Sequence, residues 1–183
     1  MHIDEGAIAA VSHLMGRLIP PDSEVLDLFS SYRSHWPRDH PKRRMVGLGL
    51  NAVEMEHNPD LDEHVVYDAN ENTSLPFDDA SFDAVVITVS MQYVTHPVEI
   101  FREVNRILRP GGCFLVLYSN RMFHTKAVYI WLVCNDQQRG CLVATYLEEA
   151  GNFTEAEGFY VPPQSGAGEY GDPIFAVLAR KME

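Results

Sequence analysis

The side chains best equipped for chemistry fall in a few short stretches. The stretch VLDLFSSYRSHW carries Asp27 inside an apolar run, followed by Ser30, Ser31, Tyr32, His35 and Trp36. A carboxylate there suits either a functional role or the capping of backbone N–H groups past a strand. Ser30 and Ser31 offer hydroxyls but equally fit an ordinary turn. His35 titrates near neutrality, as a general base must, yet it shares its loop with Arg38 and His40, as a solvated surface histidine would. Asp68 follows HVVY and fits an Asx turn. Arg121, in SNRMF, pairs with a ligand or with one of the many acids. Cys113 sits in the all-apolar CFLVLY and reads as core, and Cys134 and Cys141, with no CxxC spacing, read as buried thiols rather than nucleophiles. His57 and His64 flank an Asn-Pro turn without metal-ligand spacing.

Alternating elements must position these groups. Ile8, Val11, Leu14, Met15 and Leu18 share one face, which predicts a helix over 5–18 that ends at Pro20 and Pro21. Strands are expected at 24–29, 44–50, 64–67 and 82–89, with a short helix from Ala52 to about His57. Pro97 suits the first position of a helix, and Val98, Phe101, Val104, Ile107 and Leu108 recur at helical spacing up to Pro110-Gly111-Gly112. A strand at 113–118 follows, buried on both faces; then helices at 125–133 and 140–150; then strands at 153–161 and 174–180. Strands separated by helices indicate an α/β class: a Rossmann-like, doubly wound, mostly parallel seven-stranded sheet. The last two strands have only a Gly-rich loop between them, containing Gly166, Gly168 and Gly171, and are expected to pair antiparallel. That loop reads as a cover over a site or as a plain hairpin connection.

Composition bounds the rest. The chain has 183 residues, which sets an expectation of one domain over 1–183. Fourteen Lys and Arg against 26 Asp and Glu give a net charge of −12, which argues against nucleic acid or an anionic membrane as partner. The apolar runs are too short to span a bilayer. The N-terminal residues His2, Asp4 and Glu5 do not form an export pattern, so a cytoplasmic location is expected.

The segment SLPFDDASFDAVVITVSMQYVTHPVEIFREVNRILRPGGCFLVLYSN, residues 74–120, resembles the fourth and fifth strands of class I S-adenosylmethionine-dependent methyltransferases, type 11-like. The resemblance extends from about Val25 to Arg180. It implies S-adenosylmethionine as cofactor. Asp27 matches the acid of the family's first motif, but Phe29, Ser30, Ser31, Tyr32 and Arg33 fill a turn that is normally glycine-rich. The acid expected at the end of strand 2, which holds the ribose hydroxyls, corresponds to Gly49, with Leu50 and Asn51 beside it. Asp68 and Ala69 correspond to the adenine contacts, and Val89 and Ser90 line the cofactor at the end of strand 4. The sequence resembles a subgroup of that family that shares LD-x-x-SS, the Gly-x-Gly at the end of strand 2 and SNRMFHTKA after strand 5, which implies that the glycine-free turn is a trait of the subgroup.

The chemistry so implied is direct displacement of a methyl group from sulfur by a small-molecule acceptor, with no metal. The resemblance places Tyr32, His35, Trp36, Tyr93, Asn120 and Arg121 on the acceptor side, with Met122 in the apolar wall. A second expectation is a methyltransferase fold without catalysis, serving as a binding or partner subunit. A nicotinamide oxidoreductase is disfavoured because GxGxxG is absent after strand 1. The enzyme reading requires that Phe29 and Tyr32 leave space beside Asp27.

Overall fold

The computed structural model describes residues 3–163 and 171–183; Gly166 and Gly168 therefore lie outside the described residues. Asp4 caps α1 (Glu5–Leu18), its carboxylate accepting from the Ala7 N–H at 2.8 Å. The helix buries Ala7, Ala10, Val11, Leu14 and Met15. The strands are β1 (Ser23–Leu28), β2 (Lys42–Gly49), β3 (Glu63–Val66), β4 (Phe82–Thr88), β5 (Leu108–Tyr118), β6 (Glu157–Val161) and β7 (Ile174–Arg180). They form one sheet in the order β3-β2-β1-β4-β5-β7-β6. Only β7 runs antiparallel to its neighbours, β5 and β6. The remaining helices are α2 (Ala52–Glu56), α3 (Pro97–Ile107), α4 (Tyr129–Val133) and α5 (Asp136–Ala150).

Strand alternation sorts the core into two layers. Leu26, Val46, Val85 and Phe114 face one side, under Phe101 and Val104 of α3 and Val143 and Leu147 of α5. Val25, Met45, Ala84 and Cys113 face the other, under Val11, Leu14 and Met15 of α1 and under Trp36. Asp27, two residues past Val25, shares the α1 side by the same alternation.

Three local signals moved element boundaries. Asn135 and Gln138 form a reciprocal capping box, so α5 starts at Asp136 and not at Gly140. Helix α4 covers only Tyr129–Val133 of the expected 125–133. Phe153 makes a single bridge with Lys181, and β6 proper begins at Glu157.

One connection is unusual. Residues 29–41 join the parallel strands β1 and β2 without a helix, where such crossovers usually carry one. Other bonds fix this crossover. The Asp60 Oδ2 accepts from the N–H groups of Ser34 and Trp36, at 3.2 and 3.4 Å. The Asn58 amide donates to the Ser31 carbonyl at 2.8 Å and to the Ser34 hydroxyl at 3.0 Å. The Ser12 hydroxyl of α1 donates to the His35 carbonyl at 2.6 Å.

Candidate functional site

A cavity of about 750 Å³ opens at the C-terminal ends of β1 and β4. That is within the size range of small-molecule sites, and this edge is where doubly wound sheets bind ligands. The turn after β1 supplies Phe29, Ser30, Ser31, Tyr32, Arg33 and His35. The end of β4 and the turn after it supply Thr88, Val89, Ser90, Gln92 and Tyr93. Arg121, Met122 and Phe123 follow β5, and Ile3 precedes α1. Phe29 and Tyr32 are walls of this space and do not fill it.

Asp27 is the electrostatic centre of the cavity. It is 3% exposed, and its Oδ2 accepts from the hydroxyls of Ser30 and Ser34, both at 2.6 Å. Burial pushes its carboxyl up to about 6; the two hydroxyls act against this, and nearby Asp60 adds to it. His35 shifts the other way. Its burial holds the imidazole below the ordinary value, Asp60 opposes this, and the positive charge of Arg33 reinforces it. The ring is therefore neutral at pH 7 and able to take a proton. The Thr88 Oγ1, on the cavity wall, is buried with no hydrogen-bond partner among the described residues.

The backbone around the cavity is strained. Six non-glycine residues among the described ones have positive φ, and three of them line the cavity: Phe29 at 65°, His35 at 60° and Val89 at 51°. Left-handed backbone costs a side-chain-bearing residue roughly 1–2 kcal/mol, and a β-branched one is a genuine outlier there. Neighbours hold Val89 in place: its N–H donates to the Leu117 carbonyl, and the buried Gln92 amide donates to its carbonyl, both at 2.8 Å. Strain retained by such bonds gathers at functional sites. Phe29 thus takes a backbone shape that glycine adopts readily while keeping a side chain.

The cavity brings together Asp27, Ser30, Ser31, Val89 and Ser90 from the cofactor-side expectations, and Tyr32, His35, Tyr93 and Arg121 from the acceptor side. Gly49, Leu50, Asn51, Asp68 and Ala69 lie outside its lining. Leu50 is exposed, and Asn51 caps α2 by accepting from the Glu54 N–H at 3.3 Å. Asp68 Oδ1 accepts from the N–H groups of Asn70 and Glu71, as in an Asx turn, and Ala69 is buried. Trp36 packs in the α1 core, and Asn120 is exposed outside the lining. Sequence reasoning did not single out Ile3, Thr88, Gln92 or Phe123, and it read Arg33 only as turn filler. Nothing in their local pattern marks them, because chain crossings bring them together.

The cofactor of the class can be tested against these groups. A buried carboxylate, an orphaned Thr88 hydroxyl and adjoining space fit a positively charged sulfonium with an amino-acid tail. The ribose contact is different. A Cβ on Gly49 would lie 2.3 Å from the Ser30 carbonyl oxygen, because the Ser30 N–H donates to the Leu48 carbonyl at 2.8 Å and draws the crossover over the end of β2. No side chain fits at the position of the expected carboxylate. The residues therefore fit the sulfonium end, and β2 offers the ribose no acid.

Residues 40–116 match the family described as methyltransferase domain. A demethylmenaquinone methyltransferase of Renibacterium salmoninarum is 38% identical over 69 residues, 38% of this chain and 27% of that protein. The ubiquinone/menaquinone biosynthesis C-methyltransferase UbiE of Bartonella henselae is 49% identical over 77 residues, 42% of this chain and 28% of that protein. The aligned part is thus about a quarter of each relative's length. Among solved structures, a methyltransferase of Thermotoga maritima, described as a possible histamine N-methyltransferase, superposes with a TM-score of 0.69 at 14% identity, covering 97% of this chain and 90% of that one. A putative methyltransferase of Haloferax volcanii, solved in complex with the Trm112 methyltransferase activator, gives 0.67 at 18% identity, covering 98% and 91%. With this match over residues 40–116 and these structural neighbours, the chain has the fold of the class I S-adenosylmethionine-dependent methyltransferases.

Proposed function

We propose that the protein methylates a small molecule held in the cavity, with S-adenosylmethionine as methyl donor. The observation that carries this is the space beside the buried Asp27, at the ends of β1 and β4, walled by strained backbone. When bound, the cofactor supplies a methyl group on positively charged sulfur, open to displacement. The chain's own residues do the rest. Anionic Asp27 attracts the positive charge at short range in a dry site. Neutral His35 is placed to take the acceptor's proton. Phe29, Tyr32, Tyr93 and Met122 exclude water and hold the acceptor by apolar contact. The aligned relatives named above act on quinone precursors by name, which supports a small, partly apolar acceptor. Titration calorimetry with S-adenosylmethionine and S-adenosylhomocysteine tests the reading: saturable heat is expected, and none at millimolar ligand would end it.

One observation favours a second reading, a non-catalytic binding or partner subunit. The crossover lies over the end of β2 and leaves no room for a ribose-binding acid. That reading expects no stabilisation by either cofactor form and a stable complex in a pull-down. One structural neighbour was solved with an activator protein, which supports looking for such a partner.

A further inference from the structure

The cavity holds more positive charge than its one buried acid explains. Arg33 lines the cavity and has no carboxylate partner among the described residues. Arg121, also in the lining, is held at one atom only. Its Nε donates to Asp172 Oδ1 at 2.5 Å, and no described residue accepts from its two terminal nitrogens.

Asp172 is built to keep that geometry. Its side chain is 5% exposed. Its Oδ2 accepts from the Asp4 N–H at 2.9 Å, and its own N–H donates to Asp4 Oδ2 at 2.6 Å. This reciprocal pair joins the start of α1 to the approach to β7, and Arg121 completes it from the segment after β5. A guanidinium clamped through Nε presents the fork of its remaining N–H groups, which matches the two oxygens of a carboxylate. Phe29, Tyr93 and Met122 beside it would contact an apolar body.

We propose that Arg121 is the carboxylate-binding residue of the cavity and that Asp172 is its positioning residue. The methyl-transfer reading enters only in deciding which molecule brings the carboxylate: the amino-acid end of the cofactor, or an acceptor that is itself an organic acid.

Arg121→Met, at an exposed side chain, and the native chain are titrated with S-adenosylhomocysteine and with 5′-methylthioadenosine, which lacks the amino-acid end. Both are then titrated, in the presence of saturating S-adenosylhomocysteine, with benzoate and with its neutral counterpart benzamide. A loss of at least about tenfold for S-adenosylhomocysteine with methylthioadenosine unchanged assigns the carboxylate to the cofactor. Unchanged S-adenosylhomocysteine with loss of a native preference for benzoate over benzamide assigns it to the acceptor. Either supports the subsite. If the variant matches the native chain in both comparisons, or weakens both nucleosides alike, the subsite is overturned. If neither nucleoside binds the native chain but Arg121→Met erases a benzoate preference, the subsite stands and the methyl-transfer reading falls. Asp172→Asn separates positioning from mere support. A positioning residue lowers whichever of the two preferences Arg121→Met abolishes, whereas a purely structural one lowers the melting temperature and leaves that preference unchanged.

Discussion

Asp27 makes the site sensitive to acid in a direction that can be worked out. Its ordinary value of 3.8 applies to the unfolded chain, and the fold raises it to about 6. The folded state therefore binds the proton more tightly, and the contribution of this group to stability falls as pH rises from about 4 to above 6. The full effect is on the order of 3 kcal/mol. Asp27→Asn keeps an oxygen for the two serine hydroxyls and cannot ionise. The difference in unfolding free energy, variant minus native, is expected to grow in the variant's favour between pH 4 and 7, as read from urea melts. Cofactor affinity should move the opposite way, rising in the native chain as pH passes 6, because the anion is the attractive form. His35 gives a second check: an NMR titration of its imidazole is expected to show a midpoint below 6.5, for the burial described above. At this scale the sequence exposed Asp27, His35 and Arg121 through residue type and place. It could not expose Thr88 or Gln92, whose roles arise from an orphaned hydroxyl and from a bond to the strained Val89.

Among the elements, the helix-free crossover over 29–41 changes most in the site. Ser30 holds Asp27 by its hydroxyl and covers the end of β2 by its backbone. Gly49 is thus required by packing. Gly49→Ala is expected to cost about 1–3 kcal/mol in a urea melt, since the clash is with backbone that cannot turn aside. An acid at this position, Gly49→Asp, should be at least as damaging and should not improve nucleoside binding. Strand β5 offers a control of the opposite kind. Cys113 is fully buried and its thiol is pushed up to about 11 by burial, so iodoacetamide should label the exposed Cys141 and spare Cys113 until the chain unfolds. The α1 boundaries and the β7 boundaries were legible because periodicity and proline or glycine punctuation agree there. The start of α5 was not, because its signal is the Asn135–Gln138 pair and not apolar spacing. The crossover read correctly as a loop from its His, Pro and basic residues, but its path over β2 depends on Asn58 and Asp60, far along the chain.

For the molecule as a whole, ligand binding and stability are one measurement. A cofactor at a hundredfold its dissociation constant should add about 2.7 kcal/mol, or roughly 5–10 °C in melting temperature for a chain of this size. Asp27→Asn should abolish most of that increment. The mostly parallel sheet and its reversed C-terminal strand were legible because they follow from how strands and connections alternate; the order of the strands was not read from the sequence. The site was legible only in part, since its walls come from four separated parts of the chain: Ile3, the turn after β1, the end of β4 and the segment after β5. The Asp4–Asp172 pair has a practical corollary. It holds the buried Ile3 in the cavity wall while the Asp4 carboxylate caps α1, so one substitution there, Asp4→Ala, should slacken that wall and fray the helix start together.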